Sequence, residues 1–227
     1  MYRIETHLHT SLVSKCGHLT PQELAEAYAR AGYSAIAVTD HFNRTTFHYL
    51  DVGLTDGAEA VRRFLEGFEQ LRLACRPYGI QVYKGAELRF DECENDYLLY
   101  GFHDELLRDP EAVFRMGVAA FSPLAREDGA LLVQAHPYRR KCTPAIAFYL
   151  DGVEVFNGNP RHESHNDQAE AYARMFGLLR LAGSDCHQTP DIAASGILTQ
   201  DLPGDSFAFA NLLRAGRYTL MSDQPEK

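Results

Sequence analysis

Short apolar runs alternate with longer amphipathic stretches from the first residues onward. Residues 2–9 read as a strand whose side chains alternate between two faces. Thr20-Pro21-Gln22-Glu23 reads as an N-cap, a proline at the first helical position and an acidic first turn. The helix runs to Arg30 or Ala31 with Leu24, Ala27, Tyr28 and Ala31 on one stripe, and Gly32 stops it. Ala35-Ile36-Ala37-Val38-Thr39 is almost wholly apolar, as in a strand buried on both faces of a parallel sheet. Strand, helix and strand with short connections form a βαβ unit.

The alternation continues to the end of the chain. A helix is expected over 58–76, then strands over 81–87 and 97–102. A helix follows over 110–126, interrupted near Ser122-Pro123. Strands at 129–135, 152–156 and 178–182 enclose a short helix at 144–150 and a longer one at 164–176. A helix over 207–215 and a last strand over 217–221 close the pattern. No repeat, low-complexity tract or linker divides the chain, so residues 1–227 read as one α/β domain.

Composition narrows the class. Apolar residues are 45% of the 227, enough for a sizeable core and against disorder. No apolar run reaches membrane-spanning length and the start lacks a signal pattern, so no membrane partner is expected. Five scattered cysteines, an odd number, argue against a disulfide framework and for a reducing cytoplasm. The formal net charge of −9 disfavours a basic nucleic-acid-binding surface, and no stable nucleic-acid partner is expected.

The chemistry sits where the strands end. The seven expected strands finish in His7/His9, Asp40-His41, Glu87, His103, His136, Asn157 and Asp185/His187. In parallel α/β folds the active site lies at the carboxyl ends of the strands. Seven of the ten histidines fall at these ends or, as His18, in the first loop; only His48, His162 and His165 fall elsewhere, and surface positions are expected for the last two. Nitrogen-rich ligation with a few carboxylates suits zinc, manganese or iron better than magnesium or calcium alone. About nine candidate ligands are too many for one ion, and Glu87 offers one oxygen to each of two. Two to three divalent ions are therefore expected, holding a hydroxide at neutral pH and neutralising charge on a phosphoryl group. No Gly-x-Ser-x-Gly elbow or Cys-x-x-Cys pair supports a covalent hydrolase.

The set His7-Leu8-His9-Thr10, Thr39-Asp40-His41, Gly85-Ala86-Glu87, Gly101-Phe102-His103, Ala135-His136-Pro137 and Gly183-Ser184-Asp185-Cys186-His187 resembles, in content and order, the motifs of the PHP (polymerase and histidinol phosphatase) superfamily. The resemblance implies a distorted (β/α)7 TIM-like barrel with a trinuclear metal centre. It also implies phosphoester hydrolysis by a metal-bridging hydroxide. Carried over, a first ion falls to His7, His9, Glu87 and Asp185. A second shares Glu87 and adds His103 and His136. A third takes His41 and His187 with one ligand from the first loop, for which His18 is preferred and Cys16 competes. Glu87, Asp185 and His187 are the groups expected at the reacting centre.

Substrate contacts come from loops after the strands. Arg139, Arg140 and Lys141 follow His136-Pro137 directly and are candidate phosphate clamps, Arg139 first, with Arg161 behind them. Asn157 is expected to orient substrate or water, or to make a turn. Asp40 either orients a ligating histidine or caps its loop, and Cys186, between two ligands, is expected to be a buried structural thiol. The expected substrate is a small phosphorylated molecule. Histidinol phosphate is one specific possibility, and amidohydrolase-type hydrolysis is the alternative, since those barrels also begin with His-x-His. A metal-stabilised regulatory or polymerase-associated module ranks below both, because the ligand set is complete.

Overall fold

The computed structural model describes residues 1–223. Ten strands carry the fold: β1 (Tyr2–Glu5), β2 (Ala35–Val38), β3 (His41–Phe42), β4 (Gln81–Arg89), β5 (Asp96–Tyr100), β6 (Leu131–Gln134), β7 (Gly152–Asn157), β8 (Leu179–Gly183), β9 (Ile197–Thr199) and β10 (Thr219–Leu220). Between them run α1 (Pro21–Arg30), α2 (Arg44–Tyr49), α3 (Gly57–Phe64), α4 (Glu66–Cys75), α5 (Pro110–Asp128), α6 (Asn166–Phe176) and α7 (Ser206–Arg214).

The sheet runs β10-β9-β1-β2-β4-β5-β6-β7-β8, with β3 beside β4. It curls until its two sides meet. Leu8 and Cys186 form a parallel bridge, His9 N–H donates to the Cys186 carbonyl at 2.9 Å, and Cys186 N–H donates to the His7 carbonyl at 3.2 Å. This is the α/β barrel expected, with a distortion of definite form. Strands β1, β2, β4, β6, β7 and β8 run the same way, but β5 is antiparallel to both neighbours. The β4–β5 connection is a hairpin, and no helix intervenes to bring the chain back to the starting end.

The apolar alternation of the strands divides the core. Ala35, Ala37 and Tyr83 join the large cluster with Ile4, Leu99 and Phe209. Ile36, Val38 and Val82 point the other way, onto Leu24, Tyr28 and Leu71 of α1 and α4. Each fully buried large side chain of this kind contributes about 1.5–3 kcal/mol, and this burial offsets the polar cluster described below.

Local signals set most boundaries. Thr20 and Glu23 close a capping box at α1, with Glu23 Oε2 accepting from Thr20 N–H at 2.8 Å. The helix expected over 58–76 breaks at Leu65 into α3 and α4. Gly67 opens α4 where a Cβ would lie 2.1 Å from Asp40 Oδ2 and 2.5 Å from Thr10 Oγ1, so only glycine lets the helix approach the first loop. The interruption in α5 falls at Gly117 (φ 71°) instead of Ser122-Pro123, and Val118 N–H donates to Glu92 Oε1 at 2.8 Å there. The helix expected over 144–150 shrinks to one 3₁₀ turn, Ala147–Tyr149.

Candidate metal centre

The carboxyl ends of the parallel strands bring together residues from across the sequence. His7 Nε2 lies 3.3 Å from both Glu87 Oε1 and Asp185 Oδ1, and His9 Nε2 lies 3.4 Å from Glu87 Oε2 and 3.3 Å from Asp185 Oδ1. His136 Nε2 approaches Glu87 Oε1 at 3.2 Å, and His41 Nδ1 approaches Glu87 Oε2 at 2.7 Å. His9, His41 and His187 converge on one side, and His7, Glu87 and His136 on another. All of these side chains are buried except His41 and His187, which are partly exposed at the rim.

The decisive feature is unmet bonding capacity. His7 Nε2 and His9 Nε2 are buried and make no hydrogen bond, and His41 Nδ1 and Glu87 Oε2 face each other at 2.7 Å without the alignment of one. Each such atom costs about 1–3 kcal/mol unless something satisfies it. Spacings of 3.3–3.4 Å between donor atoms are the edges of a tetrahedron about an ion roughly 2.0–2.1 Å from each ligand. The residues therefore fit a divalent cation.

A surrounding layer fixes the rings. His7 Nδ1–H donates to Glu154 Oε1 at 2.9 Å, which turns Nε2 toward Glu87 and Asp185. Glu154 Oε2 accepts from His136 N–H at 3.1 Å and from Asn157 Nδ2 at 2.9 Å. Ser14 Oγ donates to Asp40 Oδ1 at 2.7 Å, and so accepts from His9 Nδ1–H at 3.3 Å. Asp40 fills both roles considered for it: through Ser14 it orients His9, and it accepts from Thr10 N–H at 2.7 Å to hold the loop. His187 Nδ1–H donates to the Asp185 carbonyl at 2.8 Å.

Charge sorts the imidazoles. Burial works against protonation of His7, but the carboxylates of Asp185, Glu154 and Glu87 outweigh it and raise its pKa well above the ordinary value. Burial and the neighbouring His187 and His41 push His9 well below it, which keeps a neutral nitrogen ligand. Burial opposes ionisation of Glu87 and Asp185, yet the surrounding histidines hold both well below the usual carboxylate range. Two of the converging residues also carry strained backbone: His136 at φ 28° and Asp185 at φ 50° lie in the left-handed region, at a cost of about 1–3 kcal/mol each.

The structure rearranges several sequence expectations. His103 is not in the cluster. Because β5 is antiparallel, its carboxyl end lies at the opposite end of the barrel, and His103 is exposed there, pairing with Asp128 at 3.2 Å and lying against Phe207. The first residue of β5 takes its place: Asp96 joins His41 and Glu87, and Asp96 Oδ2 is 4.0 Å from His136 Nε2. Arg89 grips Asp96 through two bonds of 2.7 and 2.6 Å. Treating the end of every strand as the site end missed Asp96; the short charged turn before Tyr97 was the available sign of a hairpin. Glu154 was missed as well, as an inward-facing carboxylate in an apolar strand. His18 is exposed, with its backbone N–H on the His187 carbonyl at 2.7 Å. Cys16 is exposed as well; burial raises its pKa, but the neighbouring His187 and His41 prevail and bring the thiol down to about 6.

The basic residues divide too. Arg139 Nη1 is 2.7 Å from Asp185 Oδ2, and Nη2 donates to Asn157 Oδ1 at 2.9 Å and Ser164 Oγ at 3.3 Å. Arg140 is exposed and, with Lys141 and His162, lines a cleft of about 240 Å³ over His41, His136, Asp185 and His187. Arg161 turns away: its guanidinium pairs through two 2.8 Å bonds with Asp191, whose Oδ2 accepts from His187 N–H at 3.0 Å. Arg161 supports the His187 loop and does not enter the cleft. Cys186 is buried, as expected. Among the described residues no helix is long and apolar enough to cross a membrane.

Known proteins bear on this geometry. No curated protein matches the chain significantly. Among solved structures, a two-domain protein from Bacteroides vulgatus containing a predicted PHP-like metal-dependent phosphoesterase is similar with a TM-score of 0.70 and 17% identity, over 96% of this chain and 64% of that one. The chain thus spans a little under two thirds of that relative. A lesion-specific endonuclease from Pyrococcus furiosus is similar at TM-score 0.60 and 14% identity, over 97% of this chain and 57% of that one. An amidohydrolase from Chromobacterium violaceum, with bound sulfate and no metal, is similar at 0.56 and 16%, over 96% and 97%. At such identities the likeness concerns the fold. The PHP domain family matches residues 5–196, a span holding every converging ligand candidate, and the chain belongs to that family.

Proposed function

We propose that the chain hydrolyses small phosphate esters, assisted by two to three divalent transition-metal ions at the carboxyl end of the barrel. One observation carries the reading: buried nitrogens of His7 and His9 with no hydrogen-bond partner face the carboxylates of Glu87 and Asp185 beneath a cleft lined by Arg139, Arg140 and Lys141. His7, His9, Glu87 and Asp185 would hold one ion. Glu87, His136 and Asp96 would hold a second, and His41 and His187 belong to a third. When bound, such ions acidify water and offset the charge that builds on a phosphoryl group.

The chain's own groups do the rest. Glu154 holds His7, and the Asp40–Ser14 pair holds His9, each with one ring nitrogen aimed at the centre. Arg139 occupies Asp185 Oδ2, so that Oδ1 faces the histidines. Arg140 and Lys141 at the rim attract a phosphate, while Glu87, Asp185 and His187 are the groups assigned to the reacting centre. The small cleft and the net charge of −9 support a small substrate over duplex nucleic acid. Free cysteines throughout the chain support a reducing, cytoplasmic setting.

Metal-replete protein is expected to release product from 4-nitrophenyl phosphate or its bis-ester, and chelation is expected to stop it. Undiminished release after chelation overturns the reading. Cleavage of amide substrates without phosphoester cleavage favours the amidohydrolase alternative.

A further inference from the structure

We propose that the outer face between α5 and α6 is a two-fold contact with a second copy of this chain. The face lies on the wall of the barrel, apart from the metal centre, and does not depend on the function proposed above. It originates in the connection from β6 to β7. These strands are parallel neighbours, yet no α-helix lies between them, whereas every other parallel pair of strands is joined through at least one. In place of a helix, residues 143–149 form an irregular segment with one 3₁₀ turn. Bonds from three elements hold it between α5 and α6. Gln134 Nε2 donates to the Thr143 carbonyl at 2.8 Å, and Ala145 N–H donates to Gln134 Oε1 at 2.9 Å. The Tyr172 hydroxyl of α6 donates to the Ala145 carbonyl, and Arg126 of α5 donates to the Phe148 carbonyl.

The cover is thin, and its apolar side chains face out: Ile146 is 67% exposed and Phe148 75%. The neighbouring helix is inverted in the same sense. Ala169 and Ala173 are the buried residues of α6, while Met175 is 75% exposed and Phe176 52%. Tyr172 joins the two sets, its ring 4.9 Å from that of Phe176 and its hydroxyl on the segment. Apart from Met1, these four are the only large apolar side chains more than half exposed among the described residues. Area and charge identify the occupant. A large apolar side chain carries about 150–250 Å², so the four present roughly 400–600 Å² of apolar surface, a size that marks a protein contact. A standard dimer covers about 800 Å² on each copy, roughly 65% of it apolar in homodimers, which is roughly 500 Å². The patch supplies the apolar core of one such interface. Its rim carries both signs, Arg126 with Asp151 on one side and Arg174 with Glu170 on the other. In a two-fold contact a surface meets itself, so a rim of balanced charge complements its own copy. A net charge of −9 opposes self-association elsewhere on the chain; here the rim charges cancel.

Sedimentation equilibrium of the whole chain, at concentrations on the order of 1–100 μM, reads this directly. Wild type is expected to sediment at twice the chain mass. Phe148→Asp and Met175→Asp change separate elements of the face, and each is expected to raise the dimer dissociation constant at least about 100-fold. Both side chains project into solvent in the single chain, so circular dichroism is expected to match wild type, and either variant suffices should the other fail to fold. Leu73→Asp, an exposed apolar position on α4, is the control and is expected to leave the dimer intact. A wild type of single-chain mass throughout the range overturns the proposal. So does a mass above two copies, since a two-fold contact closes on itself. A dimer that survives both face variants, or that Leu73→Asp dissociates equally well, places the contact elsewhere and overturns it too.

Discussion

The two ends of the barrel hold similar residues in opposite circumstances. At the carboxyl end, imidazoles and carboxylates are buried, crowded and partly unbonded, and two of them sit on strained backbone. At the amino end, His103 pairs with Asp128, Lys84 with Asp104, and Arg108 with Glu105, most of them in contact with water. The strand β5 touches both, with Asp96 at one end and His103 at the other. A histidine therefore says little until the direction of its strand is known. Polar atoms that water already satisfies add little to stability, whereas buried atoms left unsatisfied cost free energy that only a ligand restores.

The sharpest way to break this contrast is to remove a central carboxylate. Asp185→Ala is expected to lower phosphoester turnover by at least about three orders of magnitude, roughly 4 kcal/mol in the barrier, and to reduce the metal content found by elemental analysis. Retained turnover with full metal content would mean the crowded end is only structural. Next in size is a comparison along β5. Asp96→Ala is expected to cost the protein one ion, while His103→Ala keeps full metal content and activity within about twofold. The reverse result would restore the order read from strand ends alone.

Third is Glu154→Gln, which keeps the shape but weakens the hold on His7. Affinity for the ion bound by His7 and His9 is expected to fall about 10–100-fold, measured by competition with a chromophoric chelator. Fourth is a pH test at the edge of the site. Burial opposes ionisation of Asp191, but Arg161 and the amides of His187 and Gln188 prevail and hold its carboxyl below the usual range. Its stabilisation is then complete above the unfolded carboxyl pKa of about 3.9 and fades as pH falls toward the lower folded value. Asp191→Asn is expected to lose about 2 kcal/mol at neutral pH, a deficit that shrinks below about pH 4, as read from urea midpoints. The smallest effect belongs to the amino end: Glu105→Ala, which removes an exposed partner of Arg108, is expected to change stability by less than about 0.5 kcal/mol.

Much of this arrangement was legible in the sequence, for reasons that particular residues make plain. Parallel strands announce their ends through an apolar run stopped by a chemical residue, which is how His7, His9, Glu87, His136, Asp185 and His187 were placed. The capping box at Thr20 set the start of α1 without tertiary help. His103 failed because hydrophobic periodicity carries no direction, and an antiparallel strand reads the same as a parallel one. Cys16 and His18 were ranked by resemblance and ligand chemistry; the coil around Gly17 and the bond from His18 N–H to the His187 carbonyl, which place both side chains, lie beyond local pattern. Arg161 has the composition of a phosphate clamp, but its partner Asp191 lies 30 residues away, beyond the reach of local pattern. Glu154 was hidden because alternation in an apolar strand does not say which inward residue meets a ring nitrogen.

The bridge between Leu8 and Cys186 has a consequence in time. Leu8 cannot take its final neighbour until Cys186, 178 residues further along, has been made. During synthesis His7 and His9 emerge well before Asp185 and His187 are made. Pairings of such wide sequence separation form late in folding. The barrel is expected to assemble from its middle strands outward, with closure as the last event and the ion site appearing only then. An immature chain would thus expose two histidines without the carboxylates that complete their cage, and full-strength metal capture would mark the moment the ring shuts.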